Sequence, residues 1–180
     1  PAFSVLNPAL GAATVAPWLD PAKPASADPD RLLRAIEAEG VTSAFGSPTL
    51  WDLLSRAAER AGKRLPSLRV ILAAGAPVPP GLLARLRRVA PNAAVHTPYG
   101  ATECLPVASI EAAEILGETA DLTRSGQGTC VGKPVPDVEI RILRPEDGAI
   151  ARLESATLLP AGEVGEVAVT GPSVTKEYLS

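Results

Sequence analysis

The sequence of 180 residues predicts an α/β fold, a parallel sheet with flanking helices followed by part of a small antiparallel β lobe. Three observations point there. Helix-spaced apolar positions recur at 30–39, 50–61 and 80–89. Short apolar or β-branched runs at 13–15, 41–45, 70–73 and 94–96 alternate with them, and strand–helix–strand units of this kind imply a parallel sheet with crossover helices. Beyond about residue 120 the pattern turns to period-two alternation, at 138–142 and 164–169.

Each element has a local reason. Leu32, Leu33 and Ile36 share one face of the first helix, and Gly40 stops it. The second helix has the clearest signature. Leu50, Leu53, Leu54, Ala57, Ala58 and Ala61 repeat at helical spacing, Ser47-Pro48 supplies an N-cap followed by proline at the first helical position, and Gly62 ends it. The third helix turns Leu82, Leu86 and Val89 inward and terminates before Pro91. The runs between the helices lack strict alternation, as strands buried on both faces do. Residues 131–170 read as the antiparallel lobe, with 145–162 a hairpin or long surface loop. The domain organisation expected is 1–120 for the α/β subdomain and 121–180 for the start of a β-barrel-like one.

Composition narrows the function. A net charge of −3 argues against nucleic acid or an anionic membrane as partner, since both favour a clustered positive field. Arg85, Arg87 and Arg88 form the one dense basic cluster and read as a solvated helix face. Cys104 and Cys130 match no zinc-ligand spacing and are too few for a disulfide scaffold, so reduced thiols in a cytoplasm are expected. No apolar run approaches the ~18 residues of a membrane span. The sequence has no Met, and both ends fall within patterned stretches, which reads as an internal piece of something longer.

In parallel sheets ligands bind beyond the carboxyl ends of the strands. Two segments occupy such places. Ala73-Ala-Gly-Ala-Pro77 follows the 70–73 strand, and its small residues would let a flat ring lie against the backbone, although taken alone they read more readily as a tight strand-to-helix turn set by Pro77. His96-Thr-Pro-Tyr-Gly-Ala-Thr-Glu103 follows the 94–96 strand. Tyr99 offers an aromatic face, Gly100 a close-approach backbone, Thr102 a hydroxyl and Glu103 a carboxylate. A hydroxyl beside a hard oxygen ligand suits phosphate and Mg²⁺, and a buried Glu would need a cation. The alternative is a capped helix start with Glu103 paired to an arginine. His96 reads as a structural or pocket-lining residue, because no nucleophile elbow accompanies it. Cys104 reads as pocket wall. The glycine run from Gly126 to Lys133 fails the phosphate-loop spacing, with five residues between Gly126 and Gly132 and Pro134 where Ser or Thr is required. It reads as a connection between lobes.

These pieces, in this order, resemble the superfamily of acyl-CoA synthetases, luciferases and peptide-synthetase adenylation domains. Tyr99-Gly-Ala-Thr-Glu103 is similar to its Y-G-x-T-E core, and Ala73 to Pro77 to its adenine-side segment. Gly128 to Pro136 resembles the Gly- and Pro-containing segment that follows. Gly162-Glu-Val-Gly-Glu-Val-Ala-Val-Thr-Gly171, with Tyr178 beyond, resembles the family's G-E-x-G-E segment. The resemblance implies ATP and Mg²⁺ as cofactors and a carboxylic acid as substrate. It implies that Gly75, Ala76 and Pro77 line the adenine, with Tyr99 stacked on it and Gly100 close by. Thr102 would contact the phosphates and Glu103 would hold Mg²⁺, the pair forming the catalytic residues. Ala74, Gly100 and Val107 would face the acyl tunnel, and Phe3-Ser4 would fall near an aromatic or histidine position.

The same resemblance implies a partner in the remainder of the protein's own chain, with a phosphate loop upstream and a C-terminal lobe carrying a catalytic lysine downstream. These 180 residues alone are therefore expected to be a non-catalytic module. The sequence departs from the family's pattern at Asp137 and Glu177, both usually Gly. Within the superfamily, the strings 97–107 and 128–134 resemble the β-lactone-forming synthetases of bacterial olefin biosynthesis. That implies ring closure of long-chain β-hydroxy acids; the alternative is a fatty acyl-CoA or acyl-AMP ligase.

Overall fold

A computed structural model describes residues 7–17, 20, 23–150 and 152–177. Phe3, Ser4 and Tyr178 lie outside the described residues. Packing divides the chain into two compact units, Pro1–Thr97 with Ile110–Cys130, and Pro98–Ser109 with Val131–Ser180. The expected organisation differs from this partition at two places. Residues 98–109 group with the β lobe, and the later boundary falls inside the glycine run, between Cys130 and Val131, because helix continues to Arg124.

In the first unit the three expected helices form, the second at the Ser47 cap read for it and the first at Asp28, a cap the sequence reading did not name. Helix α1 (Pro29–Ala38) begins at Asp28, whose carboxylate accepts from the amides of Asp30 and Arg31, and it buries Leu32, Leu33 and Ile36. Helix α2 (Pro48–Arg60) begins at Ser47, whose hydroxyl accepts from the Leu50 amide at 3.3 Å, and it buries Trp51, Leu54, Ala57 and Ala58. Helix α3 (Pro80–Val89) buries Leu82, Leu83, Leu86 and Val89. A further helical stretch had no sequence expectation. It comprises α4 (Ala112–Glu114), a π-helical turn at Ile115–Thr119 and α5 (Ala120–Arg124).

Strands β1 (Ser43–Gly46), β2 (Val70–Ala73) and β3 (Ala94–His96) form a parallel sheet in that order, with Ser43 opposite Val70 and Val70 opposite Ala94. Two expectations fail here. Residues 13–15 make no strand, and Val15 is exposed; three extended residues need a ladder partner, and they have none among the described residues. Within these 180 residues the strands are buried on one face only. Ile71, Ala73 and Val95 are buried, while the neighbouring row Phe45, Leu72 and His96 on the other face is exposed or half-buried. The 41–45 run enters the sheet two residues later than expected.

The arginine cluster is not simply a solvated face. Arg85 reaches from α3 to Asp52 at 2.5 Å and Glu59 at 3.4 Å on α2, and its side chain is only 14% exposed. Arg88 joins Glu59 at 2.7 Å. The Arg56 and Arg85 guanidiniums, in that order of effect, hold the Asp52 carboxyl below its ordinary range. These ion pairs staple the two helices across their solvent edge.

The second unit is built of antiparallel ribbons. Strand β4 (Tyr99–Ala101) turns directly into β5 (Cys104–Ser109), and β6 (Lys133–Pro134) adds to β5. Strand β7 (Glu139–Leu143) pairs with β8 (Glu166–Thr170) over five residue pairs. Between them the chain returns to β7 at residues 157–159, with an antiparallel bridge from Leu143 to Leu158, after a short 3₁₀ turn at Leu153–Ser155. Gly165 is sterically required, since a Cβ there would lie 2.2 Å from the Leu143 carbonyl oxygen. Asp137 adopts φ +63°, the left-handed region that favours glycine. This accounts for the glycine that the resemblance leads one to expect there.

Candidate functional site

In the first unit, the last rung of the sheet leads into the Ala73–Pro77 segment. The amide of Ala74 donates to the Gly46 carbonyl at 3.2 Å, extending the β1–β2 ladder by one step. Ala73 and Ala74 are buried, whereas Gly75, Ala76 and Pro77 are exposed before the chain dives again at Val78. Gly75 has φ +94°, and no atom lies within 4 Å of where its Cβ would be. It is glycine for the backbone turn, and the space above it is open. The result is a short shelf of exposed small residues, which can accept a flat ligand.

In the second unit, Tyr99, Gly100, Thr102, Glu103 and Val107 all lie on the β4–β5 hairpin. Ala101 pairs with Cys104, so Thr102 and Glu103 form its two-residue tip. The expected alternative of a capped helix start fails, because the segment is a hairpin. Both tip residues are exposed. Burial therefore does not oblige Glu103 to meet a cation, as the sequence argument supposed. The tip is anchored by its backbone, with the Thr175 amide donating to the Glu103 carbonyl at 2.7 Å. Gly100 is glycine for a close approach, since a Cβ there would meet the Cys104 carbonyl at 2.4 Å.

The hairpin forms one wall of a cleft of about 270 Å³ within this unit, lined by Tyr99, Gly100, Ala101, Glu103, Cys104 and Val107. Val167, Val169 and Val174 form its other wall. Cys104 is a buried part of the lining, its Sγ 3.4 Å from the Ser173 hydroxyl, in keeping with a pocket wall. The sequence reading missed the three valines as lining residues. The signal was present in the 164–169 alternation, which puts Val167 and Val169 on one face.

The donor set fits a metal held mainly by a nucleotide. Among the described residues no group of three His, Cys, Asp or Glu side chains stands close enough to hold a metal by itself. Mg²⁺ commonly takes only one or two carboxylates and completes its shell with phosphate and water oxygens, and an exposed Glu103 beside the Thr102 hydroxyl supplies that kind of donor. His96 sits at the end of β3, bridged to Glu111 through the backbone. No described helix is long and apolar enough to cross a membrane.

Comparison with known proteins identifies the chain's family. The family described as AMP-binding enzyme matches residues 3–179. The olefin β-lactone synthetases of Xanthomonas campestris pv. campestris and Stenotrophomonas maltophilia are each 46% identical to the chain over 181 aligned residues, covering all of it. The match spans 32% of either relative, about a third of its length. Among solved structures, O-succinylbenzoate coenzyme A synthetase from Bacillus subtilis, in complex with AMP, superposes with a TM-score of 0.64 at 25% identity, covering 84% of this chain and 27% of that one. With an open shelf after a parallel strand, a Thr-Glu hairpin tip and a family match along nearly its whole length, the chain belongs to the AMP-binding enzyme family.

Proposed function

We propose that the full-length protein activates a long-chain β-hydroxy acid with ATP and closes it into a β-lactone, releasing AMP and pyrophosphate. The observation that carries this reading is the 46% identity to two olefin β-lactone synthetases along the whole of this chain. The hairpin supplies chemistry consistent with it. Thr102 contacts the phosphates, and Glu103 holds Mg²⁺, which offsets the charge of the phosphate oxygens. Tyr99 stacks on the adenine, which Gly75, Ala76 and Pro77 line, and Gly100 keeps the backbone beside it unobstructed. Ala74, Gly100 and Val107 face the acyl chain. The activated carboxyl is then attacked by the acid's own β-hydroxyl, an intramolecular step for which effective molarities reach about 10⁵ M or more. The free thiols of Cys104 and Cys130 suit a cytoplasmic setting.

The test is mass spectrometry of products from the full-length enzyme with a long-chain β-hydroxy acid, ATP and Mg²⁺, with and without CoA. A β-lactone formed without CoA is the expected result. The likeness to a coenzyme A synthetase favours a second reading, thioester formation. CoA-dependent AMP release with a thioester product establishes that reading instead. The 180 residues alone are a non-catalytic module in this proposal, and acid-dependent pyrophosphate release from them is expected to be absent.

A further inference from the structure

Trp51 is 3% exposed and lies on the first turn of α2, far in sequence from the shelf at Ala74–Pro77. Its surroundings connect it to that shelf. The indole N–H donates to the Leu72 carbonyl at 3.1 Å, two residues before the shelf begins. The ring also occupies the space a side chain on Gly46 would take, because a Cβ there would lie 3.1 Å from the indole nitrogen and 3.4 Å from Cδ1. Gly46 in turn accepts the Ala74 amide. One side chain thus braces the last residue of β1 and the penultimate residue of β2, where those strands end together at the Gly46–Ala73 rung.

We propose that Trp51 is a positioning residue for nucleotide binding, holding the end of β2 so that Gly75, Ala76 and Pro77 present their backbone at a constant height. The proposal rests on the adenine-side reading of that segment. Gly75 meets nothing within 4 Å of its Cβ position, so the shelf has little packing of its own above that residue. Its position depends on what holds the strand beneath it. The Leu72 carbonyl is part-buried, and without the indole N–H it loses its side-chain donor, so the strand end relaxes.

The experiment uses the full-length enzyme. Trp51→Phe retains an aromatic ring against Gly46 and removes the donor. The KM for ATP should rise about three- to tenfold, the size of one hydrogen bond, while kcat and the KM for the acid stay within about twofold. Amide exchange at Ala74 should accelerate by about tenfold or more, with Val95 in the neighbouring strand unaffected. An ATP KM unchanged within about twofold overturns the proposal. So does a variant in which Val95 exchange rises equally and both KM values move together, since that is the behaviour of an ordinary core residue. Ala76→Phe separates this from failure of the underlying reading. It obstructs the exposed shelf without touching the brace. If Ala76→Phe raises the ATP KM and Trp51→Phe does not, only the role of Trp51 is wrong. If Ala76→Phe leaves the ATP KM unchanged, the adenine-side reading fails and this proposal fails with it.

Discussion

The two units keep their shapes by different means. In the first, α1, α2 and α3 bury Leu, Ile, Val and Ala side chains against β1–β3 in one continuous core, with Leu33, Leu68, Ile71, Leu83 and Leu86 at 0–1% exposure. In the second, Leu105, Leu158, Val164 and Val167 remain exposed, and the ribbons are defined by close backbone approaches at Gly100 and Gly165. A core built on volume tolerates polar change at its edge but not lost methylenes. A ribbon built on close approach tolerates side-chain truncation but not an added Cβ. The candidate chemistry of the hairpin tip therefore stands on the part of the molecule with the smaller core of its own.

Substitutions can break or sharpen that contrast. The largest effect expected is from Leu83→Ala, which should cost about 2–5 kcal/mol in denaturant unfolding because the site is fully buried. Val164→Ala, in the second unit and 95% exposed, should change stability by no more than about 0.5 kcal/mol. Equal losses from the two would erase the distinction. Glu103→Gln in the full-length enzyme should lower acid-dependent pyrophosphate release by about 10²-fold while leaving the unfolding midpoint in place. Lys133→Ala, in the glycine run, should alter that rate by no more than about twofold. A more damaging Lys133→Ala would move the nucleotide site to the glycine run.

Gly165→Ala should cost about 1–3 kcal/mol, since its new methyl must displace the Leu143 carbonyl. A neutral result would mean that the β7–β8 ribbon yields freely. Asp52→Asn tests the helix staple of the first unit. The Asp52 carboxyl is held below its ordinary value by Arg56 and Arg85, so its contribution is complete above the unfolded pKa of about 4 and is lost as pH falls through the lower folded value. With the side chain 40% exposed, solvent screening limits that contribution to about 0.5–1 kcal/mol. The variant should be less stable near neutrality and show a shallower loss below pH ~4. The smallest effect expected is a gain. Asp137→Gly relieves a left-handed backbone that a non-glycine residue occupies at a cost, and it should stabilise the chain by about 0.5 kcal/mol. A loss of stability there would mean that the Asp137 side chain compensates for the strain.

The three main helices, the last two strands of the parallel sheet and the motif Tyr99-Gly-Ala-Thr-Glu103 were legible in the sequence. Their signals are local: the Ser47 cap lies three residues from the amide it satisfies, and helical periodicity repeats within a few turns. Where structure depends on partners distant in the chain, the sequence was silent or misled. It did not foretell that Thr102 and Glu103 would be a hairpin tip, because that turn exists only once Tyr99 faces Ala108 and Ser109 faces Lys133. It read Arg85 as solvated, since the carboxylates of Asp52 and Glu59 lie on another helix. It offered the alternation at 164–169 without showing that Val167 and Val169 would line the hairpin's cleft. Short-range hydrogen bonds and periodicity are written into neighbouring residues, whereas register, ion pairs across helices and the second wall of a cleft arise only when segments far apart in sequence are brought to the same place.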